Sequence, residues 1–198
     1  MKKNVGSIVI DEKYDKCCKI LKESISGKRY HHSLGVSNTA ACLAMSVGID
    51  VYPAYLAGLL HDCAKGLSSD ELIETVKKAG ISITDTEKKN PELLHAKAGS
   101  VLAKTVYKIT DEDILSAIYW HTTGKPCMTA LEEIVFVADY IEPNRTGLPE
   151  LAMVRKKAFS DIASAITLIC ENTLAHLKKT GASVDETTLE TYEYYRRH

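Results

Sequence analysis

The sequence predicts an all-α fold, a helical bundle forming a single domain over residues 1–198, and three observations carry that reading. Apolar residues recur at helical spacing in one segment after another. Capping residues and glycines punctuate those segments where helices should start and stop. No segment sustains the apolar–polar alternation of a strand, so no sheet is expected. A length of 198 residues is enough for one sizeable core.

The elements follow in order. Tyr14, Cys17, Cys18, Leu21 and Ile25 repeat at helical spacing, and Gly27 ends that first helix. A second helix runs from about Tyr30 to Val47 and stops at Gly48. Asp50 caps a third, with Pro53 tolerated in its first turn. Ser68 and Glu71 form a capping box for a fourth helix, closed by Gly80. The stretch from Ile81 to Asn90 reads as a mobile loop, and Asn90-Pro91 starts a fifth helix that carries His95. Thr110 opens a sixth that ends near His121. Thr129 and Glu132 make another capping box, and Glu142-Pro143 breaks the helix it opens. The loop from Glu142 to Pro149 is a second mobile candidate. Helices near 150–157 and 160–179 follow, and Thr187 with Glu190 caps a last short one.

Composition narrows the classes of function. A formal net charge of −1 gives no large basic field, so a nucleic-acid partner is not expected. The apolar stretch in the first eleven residues is too short and too interrupted for a signal peptide, and no segment approaches a membrane span, so a cytoplasmic protein is the default. The six cysteines show no C-x-x-C spacing and read as small packing residues, Cys63 beside Asp62 included.

His61 and Asp62 close an apolar helix, and His32, His95, His121 and Asp139 also fall on or beside faces that should pack a core. A His-Asp dipeptide alone is a weak signal, and any one of these residues could be a satisfied core histidine or a capping aspartate. A buried aspartate must be paired, hydrogen-bonded or bound to metal. Imidazoles mixed with carboxylates are what a divalent transition metal uses as ligands, so several on converging faces point to one shared metal site.

Four blocks then resemble a known family. Residues Arg29 to Val36 (RYHHSLGV), Leu59 to Lys65 (LLHDCAK), His121 to Gly124 (HTTG) and Ala138 to Arg145 (ADYIEPNR) are similar, in this order, to the HD superfamily of metal-dependent phosphohydrolases and to its YqeK branch. The resemblance covers about 29–192. It implies a bundle of the HD-domain type and symmetrical hydrolysis of diadenosine tetraphosphate, or related dinucleoside polyphosphates, to two ADP. The alternatives are another HD-type nucleotide phosphohydrolase (a nucleoside 5'-monophosphatase, a deoxynucleoside triphosphatase or a cyclic-nucleotide phosphodiesterase) or a non-catalytic nucleotide sensor.

The resemblance also implies roles. His32, His61, Asp62 and Asp139 would hold a divalent transition metal, iron first, with manganese or cobalt as alternatives. His95 and His121 would either donate hydrogen bonds to phosphate, the reading preferred from sequence, or complete a second metal site with Asp62 bridging. Lys65 and Arg145 would hold phosphate charge, and Asp62, Lys65, His95, His121 and Arg145 form the expected catalytic set. Thr122, with Gly124 in the same turn, would offer a hydroxyl or an amide to a phosphate. Arg29 is expected only to anchor its helix. The nucleotide would also touch His32, Asp139 and the stretch Ser183, Val184, Asp185, Glu186, Thr187 and Thr188. In that stretch Glu186 stands where the family usually has a proline. ADP or GDP would act as a product-like ligand, and a homodimer is left open.

Overall fold

The computed structural model describes residues 12–197, all within an α-helical architecture, and the apolar stretch read at the N-terminus lies outside them. In chain order the helices are α1 (Glu12–Ser24), α2 (Gly27–Val47), α3 (Val51–Leu60), α4 (Ser69–Lys78), α5 (Asp85–Lys89), α6 (His95–Thr105), α7 (Glu112–Trp120), α8 (Ala130–Ile141), α9 (Leu151–Ala158), α10 (Ile162–Thr180) and α11 (Glu186–Tyr195). A 3₁₀ turn, Pro91–Leu94, leads into α6. There is no strand among the described residues, and no helix there is long and apolar enough to cross a membrane.

Most boundaries fall where the capping chemistry puts them. Ser68 and Thr129 each close a reciprocal box with the glutamate three residues on, and the Asp50 carboxylate accepts from the Tyr52 amide. Four details differ. Gly27 opens α2 rather than closing α1, because Ser26 is the cap and its hydroxyl accepts from the Arg29 amide. The stretch read as a mobile loop after Gly80 contains α5, started by a third box in which Thr84 and Glu87 reciprocate. Asp111, not Thr110, caps α7. Asp185, rather than Thr187, caps α11. Among the cysteines, Cys17, Cys63 and Cys170 are buried as expected, while Cys42 and Cys127 are exposed.

The core is built on α2 and α3, with α7 and α8 packed against them. The side chains of α3 are almost wholly enclosed: Ala54, Leu56, Ala57, Leu59 and Leu60 are buried. Gly58 lets the two central helices approach, since a Cβ there would lie 2.9 Å from the Ser37 Cα. A smaller apolar cluster joins α4 and α6 through Leu72, Val76, Leu94 and Ala98. This packing sets three helix ends, those of α3, α6 and α7, and two helix faces, those of α2 and α8, around one point.

Candidate metal centre

Six functional side chains reach that point from five elements. His32 projects from the first half of α2, while His61 and Asp62 follow the last turn of α3. His95 is the first residue of α6, His121 follows α7, and Asp139 lies near the end of α8. His32, His61, Asp62, His95 and His121 are all buried, and the Asp139 side chain is a quarter exposed. The six residues therefore meet, as the sequence predicted.

Their hydrogen bonds fix how the rings face. The Nδ1–H of His61 donates to the Gly58 carbonyl at 2.7 Å, that of His121 to Ile118 at 2.7 Å, and that of His95 to Glu92 at 2.6 Å. His32 donates its Nδ1–H to the Glu142 carboxylate at 3.1 Å. Every neutral ring thus turns a proton-free Nε2 toward the centre, which is how metal-ligating imidazoles are oriented.

Asp62 sits between two groups of these nitrogens. Its Oδ2 lies 3.4 Å from His61 Nε2 and 3.9 Å from His32 Nε2, while Asp139 Oδ1 lies 2.9 Å from His32 Nε2 and 3.7 Å from His61 Nε2. On the other side, Asp62 Oδ1 lies 3.4 Å from His95 Nε2 and 3.6 Å from His121 Nε2. His95 and His121 bring their Nε2 atoms within 3.2 Å of each other. The Thr122 hydroxyl lies 3.1 Å from both, and its one proton can serve only one.

A set of lone pairs facing lone pairs and carboxylates is a poor arrangement for a buried protein interior unless a cation sits among them. The buried Nε2 atoms of His32 and His61 have no hydrogen-bond partner. Ligand atoms of His32, His61 and Asp139, and those of His61, Asp62 and His121, lie within 4.8 Å of one another. The donor types and their orphaned atoms fit a divalent transition metal.

The protonation balance agrees. Burial lifts Asp62 and the neighbouring His61 and His121 outweigh it, so the carboxyl is held well below its usual range. Asp139 is likewise held down, its burial outweighed by His32, His61 and Arg145. Burial, with His121 and Lys65 nearby, pushes the His95 imidazole down to about 3, so it is neutral at physiological pH. For His61 the pull of Asp62 and Asp139 overcomes burial and raises its pKa.

Two groups that sequence reasoning missed hold this centre. Arg29 does more than start its helix: its Nη1 donates to Asp62 Oδ2 at 2.7 Å. Glu142 is buried, accepts from His32 through Oε1, and accepts from the Asn144 amide and side chain through Oε2. Gly35 makes room for it, since a Cβ there would collide with Glu142 Oε2. Arg145, expected to be on phosphate, donates to Asp139 Oδ1 at 2.6 Å and to the Asp139 carbonyl. Lys65 is exposed and lines a cavity of 540 Å³ with His95 and Arg29.

The C-terminal stretch is near but separate. Asp185 and Thr187 line a 210 Å³ cavity with Trp120, Thr122 and Thr123, and Ser183 accepts from Asn90 at 2.8 Å. Thr188 is buried, while Val184 and Glu186 line none of these cavities. Gly124 closes the turn after His121 with φ +65°, and a Cβ there would meet Thr191.

Comparison with known proteins places this geometry. The HD domain family matches residues 29–144. The symmetrical bis(5'-nucleosyl)-tetraphosphatase of Bacillus subtilis is 39% identical over 176 residues, covering 88% of this chain and 92% of the relative. That of Halalkalibacterium halodurans is 40% identical over 177 residues, covering 89% and 94%. A crystal structure from Clostridium acetobutylicum, described as a predicted HD superfamily hydrolase involved in NAD metabolism, superposes with a TM-score of 0.90 at 41% identity, covering 93% of this chain and 97% of that one.

Proposed function

The chain belongs to the HD domain family and, within it, to the symmetrical bis(5'-nucleosyl)-tetraphosphatases, and we propose that it hydrolyses diadenosine tetraphosphate or a related dinucleoside polyphosphate to two ADP. The observation that carries this reading is the Asp62 carboxylate shared between two groups of inward-facing imidazoles. A divalent metal there would polarise a phosphoryl oxygen and lower the pKa of a bound water. We propose iron, because the mixed nitrogen and oxygen donors leave open positions that a closed structural zinc site lacks.

The side chains supply the rest. His32, His61, Asp62 and Asp139 would hold one ion. Because His95 and His121 each commit Nδ1 to a backbone carbonyl, an imidazole carrying only that proton has none left for a phosphate oxygen. That supports the alternative in which they join Asp62 as ligands of a second ion. Thr122, Lys65, Arg29 and Arg145 would then meet the phosphate charge, the two arginines by turning from Asp62 and Asp139 toward phosphate. The stretch Ser183 to Thr188 would close over one nucleoside from the cavity that Asp185 and Thr187 line. ADP or GDP would act as a product-like inhibitor. The protein would act as one domain over 1–198, in the cytoplasm.

In the reaction, water oxygen bonds to a phosphorus beside the central bridging oxygen, and the bond from that phosphorus to the bridge breaks. Two ADP leave, the solvent oxygen in one of them. Reaction in oxygen-18 water tests this: label in half of the ADP and no AMP or ATP is expected. Equal AMP and ATP would overturn the symmetrical reading, and turnover of nucleoside monophosphates alone would favour a nucleotidase.

A further inference from the structure

A substrate cleaved at its middle has two identical arms, each a nucleoside with two phosphates, diverging from the scissile oxygen. A centre that breaks that bond must open on two sides. The cavity of 540 Å³ carrying Lys65 and His95 has a neighbour of 500 Å³ lined by His32, Asn144, Arg145 and Lys28, and Ser26 and Arg29 line both. Each is in the ~300–1,000 Å³ range of small-molecule sites.

We propose that, with one nucleoside under the stretch Ser183 to Thr188, the Arg145-side cavity rather than the Lys65-side one seats the second nucleoside diphosphate arm, with Lys28 as a phosphate-binding residue. This rests on the tetraphosphatase reading and extends it.

Charge separates the two cavities. The Lys65 side sets Arg29 and Lys65 against Glu23 and Glu92, which balance. The Arg145 side is lined by Lys28, Arg29 and Arg145 with Glu142 as its one lining carboxylate; the two arginines already pair with Asp62 and Asp139, which leaves Lys28 as its uncommitted cation. The Glu142 carboxylate is already engaged on both oxygens, by His32 and by Asn144. A polyanionic arm is drawn to the second cavity.

Lys28 itself points the same way. It is exposed, it has no ion-pair or hydrogen-bond partner among the described residues, and it stands in the first turn of α2. The helix dipole disfavours a cation there, and α2 has Lys28 and Arg29 in that turn with no acidic residue. Helix stability therefore gives no reason for Lys28, whereas an anion in the adjoining cavity does. Thr146, also exposed, lines the same wall.

The test uses the metal-loaded full chain with Lys28→Glu and, separately, Thr146→Trp to fill the cavity. Lys28→Glu puts an acid at a helix N-terminus, which favours the helix, so a loss of binding would not come from unfolding. Losing a charged phosphate contact should raise KM for diadenosine tetraphosphate about 10-fold or more, with kcat within about 2-fold. Calorimetry should find two ADP bound per wild-type chain and one per variant chain. Unchanged KM and ADP stoichiometry in both variants would overturn the second seat while leaving the hydrolase reading intact. A wild-type protein that makes no ADP would overturn that reading, and this seat with it.

Discussion

The two halves of the centre share Asp62 but are built differently. On the His32 side, two carboxylates and two imidazoles converge, and each carboxylate also carries an arginine. On the His121 side, two imidazoles face one oxygen of the shared carboxylate and a threonine hydroxyl lies beside both rings, with no other carboxylate paired to them among the described residues. The first half has its negative charge built in, and the second borrows it. A divalent ion should therefore be held more firmly on the His32 side, and the second half should depend on Asp62 entirely.

The harshest way to break that comparison is to remove the shared group. Asp62→Ala should lower kcat by at least the ~10³-fold that loss of a key transition-state contact costs, and metal analysis should show both halves depleted. Full metal occupancy in that variant would take Asp62 out of the centre.

Removing one half at a time sharpens it. His61→Ala should strip the firmly held ion, whereas His121→Ala should keep it and lose only the other. Metal content per chain, measured side by side, decides this. Equal metal in wild type and His121→Ala would return His121 to a phosphate role.

A smaller effect is expected behind the ligands. Glu142→Gln weakens the anchor of His32 Nδ1, and such a change should lower metal affinity by ~10–100-fold, read by competition with a chelator. The His121 side has backbone carbonyls in that supporting position, so no side-chain substitution there should have an equal effect.

The mildest test concerns the scaffold common to both. Gly58→Ala would push a methyl against the backbone of α2, which cannot yield as a flexible side chain would, and overpacking of that kind costs about 1–3 kcal/mol. Thermal unfolding should show the midpoint fall by roughly 2–4 °C for each of those kcal/mol. A midpoint unchanged by the methyl would mean that α2 and α3 are less tightly set than their contacts imply.

Much of the fold was legible because helix signals are local. Ser68 with Glu71 and Thr129 with Glu132 lie three residues apart, and their boxes form as read. The helix α5 had the same signal in Thr84 and Glu87, within a stretch that also reads as a polar loop. The six converging residues were legible for a related reason. Histidines and aspartates on apolar faces are exceptions to a local pattern, so periodicity alone makes them conspicuous.

The sequence by itself determined the helices, the residues that meet at the centre and the family to which they belong. Only the tertiary structure decided how those residues are held. Glu142 finds His32 across 110 residues and Arg29 finds Asp62 across 33, distances over which no periodicity in the chain carries information. The tautomers, too, depend on which carbonyl each Nδ1 meets after packing. Helix formation is governed by neighbours three and four residues away, whereas the direction of a lone pair is governed by whatever the fold brings beside it.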